Sequence, residues 1–141
     1  MTQNKLKIML VCGFFITGAY FLKSEAYTSK ERVYMTAYTS TVAQTDSTPF
    51  HTSTGERVRP GIVALSPNLI RKYGYNSTVT IEFFERSLGC NPKILKRTSF
   101  ITKDTTNARF TNRVDVWLSK YSDAINFGKC RAVVKITPKR K

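Results

Sequence analysis

Short apolar blocks separated by polar, turn-rich stretches make up most of this chain. Arg32 to Thr39 alternates apolar and polar residues with a period of two, the pattern of a half-buried strand. Gly61-Ile62-Val63-Ala64-Leu65 is a continuous apolar run, and Thr78 to Phe84 is rich in β-branched and aromatic residues. Thr98 to Lys103, Arg113 to Leu118 and Cys130 to Ile136 also read as strands. Ser66-Pro67-Asn68-Leu69-Ile70 can open a helical turn, with Ser66 as cap and Pro67 at the first helical position. Ser119 to Phe127 places Tyr121, Ala124 and Ile125 on one helical face, and Gly128 follows where a cap glycine belongs. Ser40 to Pro60 and Arg86 to Lys96 read as loops, and an unstructured stretch as long as the first points to a functional loop. Within it, Asp46 before Ser47 and Thr48 reads as a turn cap. Short strands with one or two short helices and no βαβ rhythm predict a mainly β fold, a small closed barrel without free sheet edges.

The first residues do not fit that pattern. Lys5 and Lys7 precede an apolar stretch from Ile8 to Leu22, which exits through Lys23-Ser24-Glu25-Ala26. A basic start, an apolar middle and small residues at the exit describe a secretory signal, with a mature chain beginning near Tyr27. The stretch is short against the roughly 20 residues of a membrane span. An uncleaved N-terminal anchor is the other reading, and either one exports the protein. Cys12 is a poor lipidation site, since Val11 stands where a small residue is needed. The organisation is therefore a signal or anchor over 1–26, a linker over 27–31 and one domain over 32–141.

Export changes the meaning of charge and cysteine. The formal net charge is +14, and the exported part keeps most of it. Such a field attracts polyanions. Outside the cytoplasm these are cell-wall carboxylates and anionic lipid headgroups rather than nucleic acid. Without Cys12, Cys90 and Cys130 remain as an even pair in an oxidising compartment, a disulfide candidate whose distance the sequence does not give. One histidine, His51, and no Cys-x-x-Cys pair argue against a metal centre, and no cofactor is implied. His51 reads as a loop residue among Thr52, Ser53 and Thr54.

Two aspartates carry the candidate chemistry. Asp115 interrupts the apolar run Val114-Asp115-Val116-Trp117-Leu118, and Asp104 lies at the end of the preceding strand. A carboxyl on an apolar strand either points to water beside Arg113 or is a working group whose pKa burial has raised. The surrounding motifs resemble the three-aspartate domain of bacterial and phage cell-wall proteins, a family related to the barrel of membrane-bound lytic transglycosylase A. Met35-Thr36-Ala37-Tyr38-Thr39 resembles its opening strand. Thr52-Ser53-Thr54-Gly55 through Pro60-Gly61-Ile62-Val63-Ala64 resembles its Thr-x-Ser-Gly and Pro-Gly-x-Val-Ala stretch. Asp104-Thr105 and Arg113-Val114-Asp115 match the second and third signature aspartates, and Asn126-Phe127-Gly128-Lys129 matches the closing helix end. The likeness runs from about Tyr34 to Ile136.

The resemblance implies a double-psi β-barrel and a lytic transglycosylase. Such an enzyme cleaves the bond between N-acetylmuramic acid and N-acetylglucosamine and leaves a 1,6-anhydro sugar. It implies Asp115 as catalytic acid and base, Asp104 as its supporting carboxylate, and contacts to the glycan strand from Thr36, Tyr38, Thr54, Gly55, Ser66, Thr105 and Arg113. A monomer acting on peptidoglycan is expected, with membrane contact only through the N-terminal segment and no nucleic acid bound. Two departures stand out. Ser66 occupies the place of the first signature aspartate, and Thr106 and Asn107 replace two glycines that would permit positive φ or close approach of a sugar. These departures favour the alternative, a non-catalytic glycan-binding barrel of expansin-like kind. Tyr34, Tyr38, Phe50 and Trp117 can stack on sugars in either case, with core packing the expectation for Trp117.

Overall fold

A computed structural model describes residues 28–41, 48–86 and 89–140. The expected export segment 1–26, Tyr27 and Asp46 lie outside the described residues. Six strands form among the described residues: β1 (Ser29–Tyr38), β2 (Ile62–Leu65), β3 (Thr78–Glu85), β4 (Ser99–Thr105), β5 (Arg113–Trp117) and β6 (Cys130–Thr137). Two short helices accompany them, α1 (Pro67–Tyr73) and α2 (Tyr121–Phe127), with a 3₁₀ turn at Pro92–Ile94. No helix among the described residues is long and apolar enough to cross a membrane.

The strands pair in the order β1–β5–β2–β4–β3–β6, and β6 pairs back onto β1, so the mainly β sheet closes on itself. The β1–β5 and β2–β4 pairs are parallel, and the other four are antiparallel. Alternation sends one side of each strand inward. Val33 and Met35, Val63 and Leu65, Val114 and Val116, and Val134 and Ile136 fill the core with Val79 and Phe100. Burying each such side chain contributes roughly 1.5–3 kcal/mol. The alternate residues, Thr36, Ala64 and Asp115 among them, face away from this core.

Several boundaries differ from expectation. β1 begins at Ser29, inside the expected linker. Ser29, Lys30 and Glu31 pair with Ile136, Lys135 and Val134 of β6, so tertiary pairing overrides their polar composition. The Ser40–Pro60 loop contains a miniature hairpin, in which His51 bridges Arg57 and Thr52 accepts the Gly55 amide. In α2 the buried face is Ala124 and Phe127, whereas Tyr121 and Ile125 are exposed. Ser66 makes no side-chain cap bond to α1.

Cys90 and Cys130 form a disulfide with Cα atoms 5.0 Å apart. It fastens the 86–96 loop to the start of β6, beside a bridge between Cys90 and Gly128. Gly128 has φ +71, and a Cβ there would sit 1.9 Å from the Gly89 carbonyl oxygen. Only glycine serves at that contact.

Candidate active site

Ala64 is the register partner of Asp115 on β5 and of Asp104 on β4. Asp115 in turn partners Thr36 on β1. Directly opposed residues project from the same face of a sheet. The result is one row, Thr36–Asp115–Ala64–Asp104, across four adjacent strands. Ala64 is the small member, and the space above it is the floor of a cleft of about 630 Å³. Asp104 reaches this row through a local irregularity. Val63 pairs with Thr102 but Ala64 pairs with Asp104, so Lys103 is an extra residue on β4. A one-residue slip exchanges the two faces of a strand. Without the bulge, Lys103 would take the place of Asp104.

The two carboxyls have different surroundings. Asp104 accepts three hydrogen bonds, from Tyr38 Oη at 3.0 Å and from the backbone amides of Ser53 and Thr105 at 2.9 Å each. Both its oxygens are engaged. Burial and the adjacent Asp104 charge push the Tyr38 phenol above its ordinary value, so it stays a donor. Asp115 accepts one bond, from Thr36 Oγ1 to Oδ1 at 2.8 Å. Its Oδ2 accepts none among the described residues. Burial pushes the Asp115 carboxyl up to about 6; Thr36 and the Arg113 charge pull it down, and the Asp104 charge adds to the rise. Desolvation wins over the local donors.

The walls come from two segments. The 48–58 hairpin supplies Pro49, His51 and Ser53, and the end of β4 with the turn after it supplies Thr105, Thr106, Asn107, Arg109 and Phe110. The hairpin is docked onto β4 by the Ser53 amide on Asp104, by Thr54 Oγ1 on the Lys103 carbonyl at 2.9 Å, and by a Lys103–Glu56 ion pair. The turn is held by the Thr106 amide on Leu65 O and by an Asn107 side chain that accepts the Arg109 amide. Neither Thr106 nor Asn107 has positive φ; outside glycine, Asn76 and Asn112 do among the described residues. This turn therefore forms without the expected glycines.

Of the expected site residues, Thr36, Tyr38, Asp104, Thr105, Arg113 and Asp115 meet at the cleft. Thr54 and Gly55 do not line it: they build the hairpin tip that docks on β4. Ser66 is fully buried and away from the cleft. Its Oγ accepts the Arg113 amide at 3.0 Å and donates to Asn68 Oδ1 at 2.7 Å, which ties α1 to the start of β5. Ser66 thereby positions the strand that carries Asp115. Trp117 is partly buried on the outer face and donates to Ser40 Oγ at 3.1 Å, rather than packing in the core.

Sequence reasoning did not select Ala64, Pro49, His51, Ser53, Arg109 or Phe110 as lining residues. Ala64, the one small side chain among Ile62, Val63 and Leu65, was the available signal for a strand that something must approach. The chain matches no known family model and no curated protein.

Proposed function

We propose that the chain is an exported peptidoglycan lytic transglycosylase built on a double-psi β-barrel. The observation that carries this reading is the contrast between the two carboxyls of one cleft. Among the described residues Asp115 has one donor and one uncommitted oxygen, and its carboxyl is raised to about 6; Asp104 has both oxygens engaged. A carboxyl with an uncommitted oxygen beside one held by three hydrogen bonds suits a reaction in which the substrate brings its own nucleophile. The interlocked pairs β1–β5 and β2–β4, parallel within an otherwise antiparallel closed sheet, and the family-like motifs support the same assignment.

The reaction follows from that geometry. Protonated Asp115 gives its proton to the glycosidic oxygen, and the bond from muramic C1 to that oxygen breaks. The muramic C6 hydroxyl forms the new bond to C1. Its proton goes to the Asp115 carboxylate, which restores the acid. No water is consumed. Ordinary glycoside hydrolysis needs a second working carboxylate, and Asp104, the other carboxylate lining the cleft among the described residues, is already committed. A carboxyl titrating near 6 is protonated in about a tenth of molecules at pH 7, enough for both halves of the cycle. Tyr38 and Ser53 hold Asp104, and Thr36 and Ser66 set the position of Asp115.

A non-catalytic glycan-binding barrel is the second reading, favoured by the saturated hydrogen bonding of Asp104. Mass spectrometry of sacculi treated with the protein separates the two. The proposal expects muramic ends lighter by one water than the products of hydrolysis. Binding without any new ends would favour the binding module.

A further inference from the structure

From the cleft outward, the turn after β4 and the outer face of the sheet carry an alternation of cations and rings. The Arg113 guanidinium lies 3.5 Å from the centre of the Phe110 ring, with Arg109 on the same ring at 4.8 Å. Arg113 is also the register partner of Tyr34 on β1, and Tyr34 is the register partner of Arg131 on β6. Lys129 Nζ stands 4.2 Å from the centre of the Tyr34 ring, and Arg131 stands 5.9 Å from it. The order across the surface is Arg109, Phe110, Arg113, Tyr34, then Lys129 and Arg131. Tyr34 is 42% exposed, and a groove of about 160 Å³ runs beside it between Asn112 and Arg131. Arg131 is paired with Glu85 at 3.3 Å. Arg109, Arg113 and Lys129 form no ion pair within 4.0 Å among the described residues. The ladder starts inside the cleft, since Arg109, Phe110 and Arg113 line it.

We propose that this ladder is an extended subsite for a carboxylate-bearing glycan strand, with the Phe110 and Tyr34 rings under sugar units and Arg109, Arg113 and Lys129 on the acidic substituents of alternate units. The inference rests on the peptidoglycan reading above and deepens it. Two features favour this ligand over a neutral polysaccharide. Rings alone would stack on any sugar, but here Phe110 is flanked by Arg109 and Tyr34 by Lys129, cations that form no ion pair among the described residues, and Arg113, whose charge also acts on Asp115, stands over Phe110. Guanidinium groups in particular match carboxylates with two parallel donors. Continuity with the cleft argues that one strand occupies both, threading from the ladder past Asp115.

The test uses the full chain in detergent and sedimentation with two forms of insoluble sacculi. One form is native, and the other has its carboxyls converted to neutral amides. The wild-type chain is expected to bind native sacculi at least about fivefold more tightly, the sum of a few partly exposed ion pairs. The double substitution Arg109→Gln/Lys129→Gln should erase that preference. Both side chains are exposed, so an unchanged melting temperature keeps the comparison valid. Lys139→Gln/Arg140→Gln removes the same charge at the exposed tail and should leave the preference intact. Equal binding to both forms by the wild-type chain, or a preference that survives Arg109→Gln/Lys129→Gln, would overturn the ladder while leaving the cleft chemistry standing. Binding to neither form would overturn both. Loss of the preference in the tail variant as well would assign it to net charge and overturn the proposal.

Discussion

Asp104 and Asp115 stand on either side of Ala64, each its register partner from a neighbouring strand. The β4 bulge at Lys103 brings Asp104 to that position. The pair is asymmetric, with Asp104 fixed by three donors and Asp115 by one. Each carboxyl therefore predicts its own phenotype.

Asp104→Ala removes the acceptor for Tyr38 Oη and the Ser53 amide and unfastens the 48–58 hairpin. Hydrogen bonds to a charged group contribute about 1.5–3 kcal/mol each, less where water reaches them, so the expected loss of stability is about 2 kcal/mol. Faster hydrogen exchange at the Ser53 amide, with the core strands unchanged, is the accompanying sign. An unaltered Ser53 amide would show that Asp104 does not hold the hairpin.

Asp115 has the opposite sign. Its folded carboxyl titrates near 6 against an ordinary value of 3.8, so between those values the folded state binds more protons than the unfolded one. Its contribution to stability is neutral below about pH 4 and falls as pH rises to about 6, by at most about 3 kcal/mol. Asp115→Asn should therefore be as stable as wild type at pH 4 and more stable at pH 7, by about 1–3 kcal/mol. Denaturant unfolding of both proteins across this range measures it. A variant less stable than wild type at pH 7 would contradict the assigned burial.

The disulfide closes a loop with a sequence separation of 40. Chain entropy then gives about 4 kcal/mol of stabilisation in the oxidised protein. Reduction should lower the denaturant midpoint accordingly. Thiol labelling of the unreduced, unfolded chain should leave Cys90 and Cys130 unmodified.

Gly128→Ala places a methyl group against the Gly89 carbonyl in a backbone region close to glycine-only. The expected cost is at least about 1–3 kcal/mol. Gly55→Ala, also at positive φ but with nothing within 4 Å of the added atom, should cost less. Thermal unfolding of the two variants ranks them.

The strands were legible where apolar alternation was strong, as in Val33 and Met35 or Val114 and Val116. Ser29 to Glu31 was not, because a polar segment becomes a strand only when β6 lies beside it. Asp115 was legible as an anomaly, a carboxylate in an apolar run. The role of Ser66 was half legible. It does accept a backbone amide, as an aspartate would, but the amide is that of Arg113 rather than one in its own helix. The place of Thr54 and Gly55 at the hairpin tip, outside the cleft lining, was not legible, since nothing local to them reveals that the hairpin folds down onto β4. The Arg109–Phe110–Arg113 stack has no periodic signature, for it depends on a turn bringing separate side chains around one ring.

The central claim is that Asp115 alone carries the proton in both directions. The direct measurement is the rate of anhydro-muramic end formation from sacculi by wild type and by Asp115→Asn, followed by mass spectrometry across pH 5–8. Wild-type activity should decline above about pH 6 as the acid ionises, and Asp115→Asn should fall at least roughly a hundredfold with the fold intact. Anhydro ends formed by Asp115→Asn at the wild-type rate, or hydrolysed reducing ends from the wild-type protein, would contradict it.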